Sequence, residues 1–377
     1  MAALARHAAG AARPEAPVHP AVTVLPLAVT ADPDLLDDLL RLAATAGTEL
    51  QVAPDAGSAR RAWESAPCVV VGSDAALGCV RAGLRRRPGV VLVGDDLDDA
   101  TVWETAVHVG AEHVVFLPDG EAWVTDCFAD AAEGTSEDGL VVAVVGGRGG
   151  AGATSLACAL AVTATGSGRR TLLVDGDPLG GGIDLCFGRE QDTGLRWPDL
   201  GGTRGRLSAA ALADALPRVQ DLSVLSWDRG DAPAVPPEAV RAVLQAGRRS
   251  SELVVVDLPR SVDEGTRAVL HEAATVLLLV PAEVRAAAAA SRVASSLGLL
   301  CRDLRVVVRA PGPAGLEASE IARALGLPLA GEVRPEPGLD RALERGEPPA
   351  GRGKGPLHDL ALHLLGGLLP STVRRAA

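Results

Sequence analysis

The sequence predicts two α/β domains, each a doubly wound parallel sheet with helices on both faces. Short runs rich in Val and Leu alternate with helical patterns along the chain, as in buried parallel sheets. A polar, glycine-bounded stretch divides this alternation into two blocks. Hydrophobic residues make up 47% of the 377 residues but aromatic residues only 2%, so Val, Leu and Ala must build the cores. The expected organisation is a disordered tail at 1–20, a first domain at 21–132, a linker at 133–139 and a second domain at 140–370.

Five strand–helix units fill the first block, which is typical of a flavodoxin-like doubly wound domain. The strand-like runs are Val24–Val29, Leu50–Val52, Cys68–Val71, Val90–Val93 and His113–Leu117. The helical patterns are Asp34–Ala46, Gly57–Glu64, Ala75–Arg86, Asp98–Val109 and Gly120–Ala131.

The segment Val109–Pro118 resembles the Gly-Ala turn, fifth strand and Lys-Pro step of the receiver domain of two-component regulators. Three positions depart from that pattern. Thr30 and its neighbours replace the acidic pair after the first strand, Asp74 lies a turn beyond the phosphoacceptor position, and Leu117 replaces the switch lysine. A phosphoryl group would have little stabilisation there. We therefore expect a pseudo-receiver used for docking or dimerisation, with Asp74 as a solvated loop acid or helix cap in preference to a phosphosite.

The second block repeats the alternation of strands and helices over a longer stretch. A doubly wound sheet needs such helices between its strands. The strand-like runs are Leu140–Val145, Thr171–Val174, Leu222–Leu225, Leu253–Val256, Thr275–Val280, Leu304–Val308 and Leu329–Val333, and the last helical run is Leu357–Leu365.

A glycine-rich loop follows the first strand of this block and precedes a predicted helix at Leu156–Thr165. Strand, loop and helix in this order are the layout of a phosphate-binding loop, whose backbone N–H groups wrap the anion. Its usual lysine is missing, because Ala153 stands there, and Thr154 supplies the hydroxyl that would reach magnesium. The alternative is a tight turn that packs helix on strand. The candidate nucleotide-binding residues are Gly147, Arg148, Gly149, Gly150, Ala151, Gly152, Ala153, Thr154 and Ser155.

Carboxylates end two later strands of the block. Asp175 and Asp177 follow the run Thr171–Val174, and Asp257 follows Leu253–Val256. Ligands of such sheets bind at the carboxyl ends of the strands, so these side chains are candidates for contact with magnesium or water. The alternative for each is a carboxylate that caps the next helix or turn.

Together these motifs resemble the MinD/ParA superfamily of deviant-Walker P-loop ATPases, over roughly the last 230 residues. Arg148 stands at the family's first loop lysine, which crosses a dimer interface, and Ala153 at the second, which neutralises the β- and γ-phosphates. The resemblance implies ATP and Mg²⁺ as cofactors. It gives Asp175 and Asp177 the task of positioning water or the magnesium shell, and it makes Thr154 and Asp257 the magnesium ligands.

One further position bears on the nucleotide. Arg309 stands where the family often has an Asn that reads adenine, so it is a candidate nucleotide contact. The loop's lost lysine implies weak or absent hydrolysis, because a direct contact to the transferred phosphate is missing. Arg148 keeps its positive charge and can bind phosphate oxygens with two N–H groups.

A receiver-like domain ahead of such an ATPase domain resembles the CpaE/TadZ branch and the actinobacterial septum-site-determining proteins called Ssd. The resemblance implies a homodimer that regulates septum formation or Tad-type pilus and secretion assembly, with division, secretion or pilus proteins as partners. Two alternatives remain: an active ParA-like ATPase that partitions cargo over DNA, and an interaction scaffold that binds no nucleotide. A third, an iron–sulfur carrier of the superfamily, lacks its cysteine pair.

The composition favours some cellular locations and partners over others. The net charge of −12 disfavours a mainly electrostatic DNA binder. The six cysteines form no Cys-x-x-Cys pair and are expected to be small buried hydrophobes in a reducing cytosol. The first residues contain no long apolar run, so we expect no signal peptide and a cytoplasmic protein, recruited in some states to the septum or pole. The C-terminal leucines could belong to a helix that binds a membrane surface or to a helix that closes the domain. We favour the helix that closes the domain.

Overall fold

The computed structural model describes residues 24–94, 100–133, 139–203, 205–230, 235–312 and 315–369. The chain divides into two compact units, and the boundary falls between Ala132 and Glu133. One unit is built on a five-stranded sheet and the other on an eight-stranded sheet. The predicted tail at 1–20 and most of the predicted linker at 133–139 lie outside the described residues.

The first unit has the strand order β2-β1-β3-β4-β5, and its strand pairs are parallel. This is the doubly wound order that the sequence predicts. The strands are β1 (Leu27–Val29), β2 (Gln51–Ala53), β3 (Val69–Gly72), β4 (Val90–Gly94) and β5 (His113–Phe116). The helices are α1 (Pro33–Thr45), α2 (Ala56–Trp63), α3 (Ser73–Arg81), α4 (Ala100–Val109) and α5 (Glu121–Glu133).

Asp74 lies in the first turn of α3 and is hydrogen-bonded to the loop after β1. Its Oδ1 accepts from the Thr30 hydroxyl at 2.9 Å, and its Oδ2 accepts from the Ala31 N–H at 2.8 Å. The carboxylate therefore joins two strand–helix turns at the carboxyl edge of the sheet. Helix α3 ends at Arg81, five residues before the predicted end, and Gly83 at φ +65° turns the chain soon afterwards.

The second unit has the order β13-β12-β11-β6-β10-β7-β9-β8, and its strand pairs are parallel except the edge pair of β8 with β9. The strands are β6 (Leu140–Gly146), β7 (Thr171–Asp175), β8 (Arg218–Val219), β9 (Leu222–Leu225), β10 (Leu253–Leu258), β11 (Thr275–Pro281), β12 (Leu304–Arg309) and β13 (Leu329–Val333). The helices are α6 (Ala153–Gly166), α7 (Trp197–Leu200), α8 (Ala209–Ala215), α9 (Pro237–Ser250), α10 (Glu264–Glu272), α11 (Val284–Leu297), α12 (Ala318–Leu325), α13 (Leu339–Leu343) and α14 (Pro356–Leu368). A 3₁₀-helix covers Ile183–Phe187.

Helices cover both faces of the larger sheet. The side chains of β6 alternate between the two hydrophobic layers that result. Val141, Ala143 and Val145 pack in the layer that holds α7 to α12. Val142 and Val144 point to the opposite layer, which α6 and α14 cover. Since successive side chains of a strand face opposite sides, burial on both faces requires an unbroken apolar run.

Helix α14 closes the second unit. Its apolar residues Leu357, Leu360, Leu364 and Leu365 are buried against the layer that contains α6. Across the described residues no helix is both long and apolar enough to cross a bilayer. The arginines that would follow α14 in a membrane-binding helix lie beyond the described part of the chain.

The six cysteines all lie in described segments and are free thiols. Cys68, Cys79 and Cys158 are buried, and the other three are half-buried. The expectation of small buried residues is therefore confirmed for Cys68, Cys79 and Cys158, whereas Cys127, Cys186 and Cys301 are only half-buried.

Candidate nucleotide-binding site

The loop between β6 and α6 is held tightly against β11 and α11. The Gly147 N–H donates to the Leu279 carbonyl oxygen at 2.8 Å. A Cβ on Gly147 would lie 2.8 Å from the Ala290 Cβ, closer than packed carbons approach. Glycine is therefore required at this position by close approach of neighbouring atoms.

Two further glycines set the path of the loop. Gly150 has φ +67° and Gly152 has φ +101°, in the region that L side chains rarely adopt. Gly152 is the N-cap of α6, and no side chain from the described residues caps that helix. The N–H groups of its first turn, at Ala153, Thr154 and Ser155, have no intrahelical partner, so this helix end presents donors and a positive dipole to an anion.

The remaining loop residues differ in exposure. Ala151 is buried, with its N–H directed at the Arg148 carbonyl oxygen at 3.4 Å, whereas Gly149 and Gly150 are exposed. Helix α6 begins at Ala153, three residues before its predicted start. The prediction took the apolar Leu156 as the first residue, whereas the helix begins directly after its N-cap, Gly152. The loop thus has an open outer side and a packed inner side.

Thr154 and Asp257 meet at the carboxyl edge of the sheet. The Thr154 hydroxyl donates to Oδ2 of Asp257 at 2.6 Å. Thr154 is on the first turn of α6, and Asp257 is near the end of the adjacent strand β10, only 5% exposed. A hydroxyl and a carboxylate in contact beside a phosphate-binding loop are the pair that holds Mg²⁺ in P-loop proteins.

Asp175 and Asp177 differ in surroundings. Asp175 is 2% exposed, and its Oδ2 accepts from the Ile183 N–H at 2.9 Å and the Ser226 hydroxyl at 3.2 Å. Its Oδ1 accepts from the Asp177 N–H at 3.2 Å. These bonds make Asp175 an anchor for the segment after β7. Asp177 is half-buried, so it is the more accessible carboxylate for a magnesium water shell.

The buried carboxylates favour a cation. Burial raises the pKa of Asp257 to about 7, while the Thr154 hydrogen bond lowers it and the charges of Asp175 and Asp177 raise it. Burial likewise raises the pKa of Asp175 to about 6. The neighbouring charges disfavour ionisation of Asp257 and Asp175, so a divalent cation at this edge would stabilise their carboxylates.

Three arginines surround the loop. Nη2 of Arg148 donates to Oε1 of Glu283 at 2.9 Å, and its buried Nε has no acceptor in the described segments. Nη1 of Arg309 lies 3.6 Å from the point that a Cβ on Gly152 would occupy, and Nη2 of Arg260 lies 3.7 Å from the equivalent point on Gly149. Guanidinium groups therefore flank the loop that lacks its lysine.

Arg260 is a residue that the sequence reasoning missed. It follows β10 by two residues and comes three after Asp257. The signal was present, because strands β6 and β10 are neighbours and the loops at their carboxyl ends must approach each other. Arg309, predicted as a nucleotide contact, lies beside the loop at Gly152.

In the metal-free protein, Asp257→Asn is expected to raise the melting temperature by about 5 °C at pH 8 and by little near pH 4. The folded-state pKa of Asp257 is raised to about 7, so its contribution to stability is lost as the pH rises from the unfolded value through 7. Asn removes that ionisation and still accepts from Thr154. Thermal denaturation in a chelator, with exposed Asp340→Asn as the control, measures this; a variant less stable at pH 8 would contradict it.

The family model described as "Rv3660c-like, CheY-like N-terminal domain" matches residues 29–139. Protein Rv3660c of Mycobacterium tuberculosis (strain H37Rv) is 44% identical over 322 residues, which span 84% of this chain and 90% of that protein. The chain belongs to the Rv3660c-like family. The CheY-like description confirms the receiver-like fold predicted for the first unit of this family member.

The second unit of this Rv3660c-like chain resembles septum site-determining proteins and a ParA family ATPase. The septum site-determining protein MinD of Bacillus subtilis is 24% identical over 250 residues, 62% of this chain and 92% of MinD. A ParA family ATPase from Chlorobium tepidum superposes with a TM-score of 0.53 at 18% identity, over 60% of this chain and 99% of that one. MinD from Pyrococcus horikoshii, solved with Mg-ADP, superposes with a TM-score of 0.51 at 18% identity, over 60% of this chain and 93% of that one. These likenesses confirm the MinD/ParA-like fold.

Proposed function

We propose that this chain is a nucleotide-responsive spatial regulator that binds Mg-ATP and hydrolyses it weakly or not at all. The observation that carries the proposal is the loop between β6 and α6. It presents unpaired N–H groups and two flanking guanidinium groups, and its hydroxyl contacts a buried carboxylate. The loop lacks the lysine that would assist phosphoryl transfer, since Ala153 stands in its place.

The residues present fit the nucleotide and the metal. The amides from Gly149 to Ser155 would hold the phosphates, and Thr154 and Asp257 would hold Mg²⁺ with Asp177 near its water shell. A Cβ on Gly150 or Gly152 would strain the backbone that presents these amides. Bound Mg²⁺ would neutralise part of the charge on the phosphates.

Weak turnover follows from the missing ammonium group. Removing one oxyanion-hole donor from an acyl-transfer enzyme costs about 2.7–4 kcal/mol, and we expect a loss of this order where the transferred phosphate lacks its ammonium contact. Ground-state binding loses less, because main-chain amides and guanidinium groups still contact the phosphates. We therefore propose a switch that binds ATP but hydrolyses it slowly.

A homodimer is proposed as the active form, with Arg148 reaching the partner's phosphates. In the single chain Arg148 is paired with Glu283, with both side chains about one-third exposed. Such an exposed pair is worth about 1 kcal/mol or less, so dimerisation can break it at small cost.

Glu283→Gln is expected to strengthen ATP-dependent dimerisation by about two- to five-fold, since Arg148 no longer has to leave its ion pair. Sedimentation velocity in Mg-ATP measures the dimer fraction over a concentration series. The matched control is Glu347→Gln, which removes a carboxylate from an exposed pair with Arg345 elsewhere on the unit. Weaker dimerisation by Glu283→Gln would contradict the role given to Arg148.

The cellular role proposed is septum-site selection or the assembly of Tad-type pilus or secretion machinery, as in the CpaE/TadZ branch and the Ssd proteins. The MinD-type relatives support a role in spatial regulation, and the CheY-like unit offers a second surface for division, secretion or pilus proteins. The proposed location is the cytoplasm with recruitment to the septum or pole.

Isothermal titration of the full chain with Mg-ATP, followed by phosphate-release kinetics, tests the proposal. We expect saturable, Mg²⁺-dependent binding and turnover near the rate of a heat-inactivated control. Robust hydrolysis that Asp257→Ala abolishes would contradict the weak-turnover half. Absence of binding would favour the interaction scaffold, and nucleotide-dependent, salt-sensitive binding to non-specific DNA would favour the partition ATPase.

A further inference from the structure

A second concave site lies in the same unit, on the face of the sheet opposite α6. It is a cavity of about 590 Å³ at the carboxyl ends of β7 and β10, closed by α7, α9 and α10. Val174 and Val256 line it, whereas the next residues, Asp175 and Asp257, belong to the predicted magnesium site. Since side chains alternate along a strand, the two sites face opposite layers of the unit.

The cavity wall is apolar and partly aromatic. The indole rings of Trp197 and Trp227 lie with centroids 5.9 Å apart and planes inclined by 31°. Val240, Leu244 and Val269 from the two flanking helices complete much of the lining. Ligand cavities of proteins have this character: about 300–1,000 Å³, mainly hydrophobic and aromatic, with few polar groups.

The two indole N–H groups differ. Nε1 of Trp197 donates to the Asp175 carbonyl oxygen at 2.6 Å. Nε1 of Trp227 has no acceptor among the described residues, but this nitrogen is itself buried and does not open onto the cavity. The two tryptophans therefore offer a ligand the faces and edges of their rings.

The rim of the cavity is acidic. Asp263 and Glu264, both exposed, stand at the start of α10. The Asp263 carboxylate is engaged as the N-cap of α10, accepting from the Thr266 N–H at 2.7 Å. Two carboxylates at the entrance repel an anionic ligand, so this site does not suit a second phosphate group.

We propose that this cavity binds a small, planar, mostly apolar molecule, neutral or cationic, that packs against the two indole rings. Two fused aromatic rings fit the volume and can stack on the indole pair. The proposal does not rest on nucleotide binding, but the cavity adjoins the predicted magnesium site, because Gly176 and Pro178 line it on either side of Asp177.

Prodan, a small neutral naphthalene fluorophore, serves as the probe. Titrated with the full chain, it is expected to show saturable binding at one site and a blue-shifted emission. Gly265→Leu is expected to weaken this binding by about ten-fold or more, because the side chain enters the cavity. A Cβ at Gly265 would meet Val240 and Asp263 atoms at 3.7 Å, an ordinary contact distance, so the helix need not shift.

The matched control is Gly78→Leu, the same substitution on an exposed helix face in the other unit, with open space around it. It should bind prodan as the wild type does. Absence of saturable binding to the wild type, or an unchanged affinity in Gly265→Leu with an intact fold by circular dichroism, would overturn the proposal.

Discussion

Ala153→Lys is expected to bind Mg-ATP about ten-fold or more tightly than the wild type and to gain measurable ATP hydrolysis. The substitution restores an ammonium group at the first residue of α6, beside the unpaired amides of the loop. Hydrogen bonds from charged groups contribute about 1.5–3 kcal/mol, and a transition state that gathers charge gains at least as much. Isothermal titration and phosphate release measure the two effects.

Gly166→Lys controls for the added charge. It places the same side chain at the other end of α6, about 20 Å away, where a glycine has open space around it. The nucleotide affinity of this variant should match the wild type. If Ala153→Lys left both affinity and turnover unchanged, the loop would not be the phosphate site.

The double variant Arg260→Ala, Arg309→Ala is expected to lose about thirty-fold or more of its Mg-ATP affinity. Both guanidinium groups lie beside the loop glycines, and they are the proposed substitutes for the missing ammonium group. Each single variant should show part of the loss. Competition with a fluorescent ATP analogue measures all three proteins, and thermal denaturation checks that they are folded.

Two variants make this result specific. The double variant with Lys at both positions keeps the charge and should retain much of the affinity, although a lysine cannot form the paired contact of a guanidinium group. Arg345→Ala removes an exposed arginine paired with Glu347, and it should have no effect. Wild-type affinity in the double alanine variant would contradict the proposal that these two guanidinium groups substitute for the missing ammonium group.

The fold was predictable because continuous apolar runs mark most of its strands in the sequence. Strands buried on both faces must be continuously apolar, and β6 and β10 show this clearly. The two-residue strand β8 escaped prediction, since it adds an antiparallel edge that no apolar run marks. The end of α3 was placed too late because the arginines after Gly83 continue a helix-compatible composition.

The candidate site was predictable only where residues follow a strand or loop directly. Thr154 and Asp257 could be paired from the sheet rule, and the structure brings them into contact. The position of Arg260 over Gly149 and the pairing of Arg148 with Glu283 depend on how separate loops pack, which sequence spacing does not encode. Their roles toward a nucleotide stay predictions.

The cavity beside Trp227 could not be anticipated from the sequence. Its walls come from β7, β10, α7, α9 and α10. In the sequence, the residues that each element contributes look like ordinary hydrophobic core residues. Only the packed structure shows that Trp227 lacks an acceptor among described residues. Sites built from several distant segments carry no local pattern.

A crystal structure of the full chain grown with Mg²⁺ and excess non-hydrolysable ATP analogue tests the central claim most directly. We expect the amides of Gly149 to Ser155 to hold the phosphates, with Arg260 and Arg309 in contact with them. We expect Thr154 and Asp257 to hold the metal. An empty loop, or a nucleotide bound elsewhere while the loop keeps its shape, would contradict it.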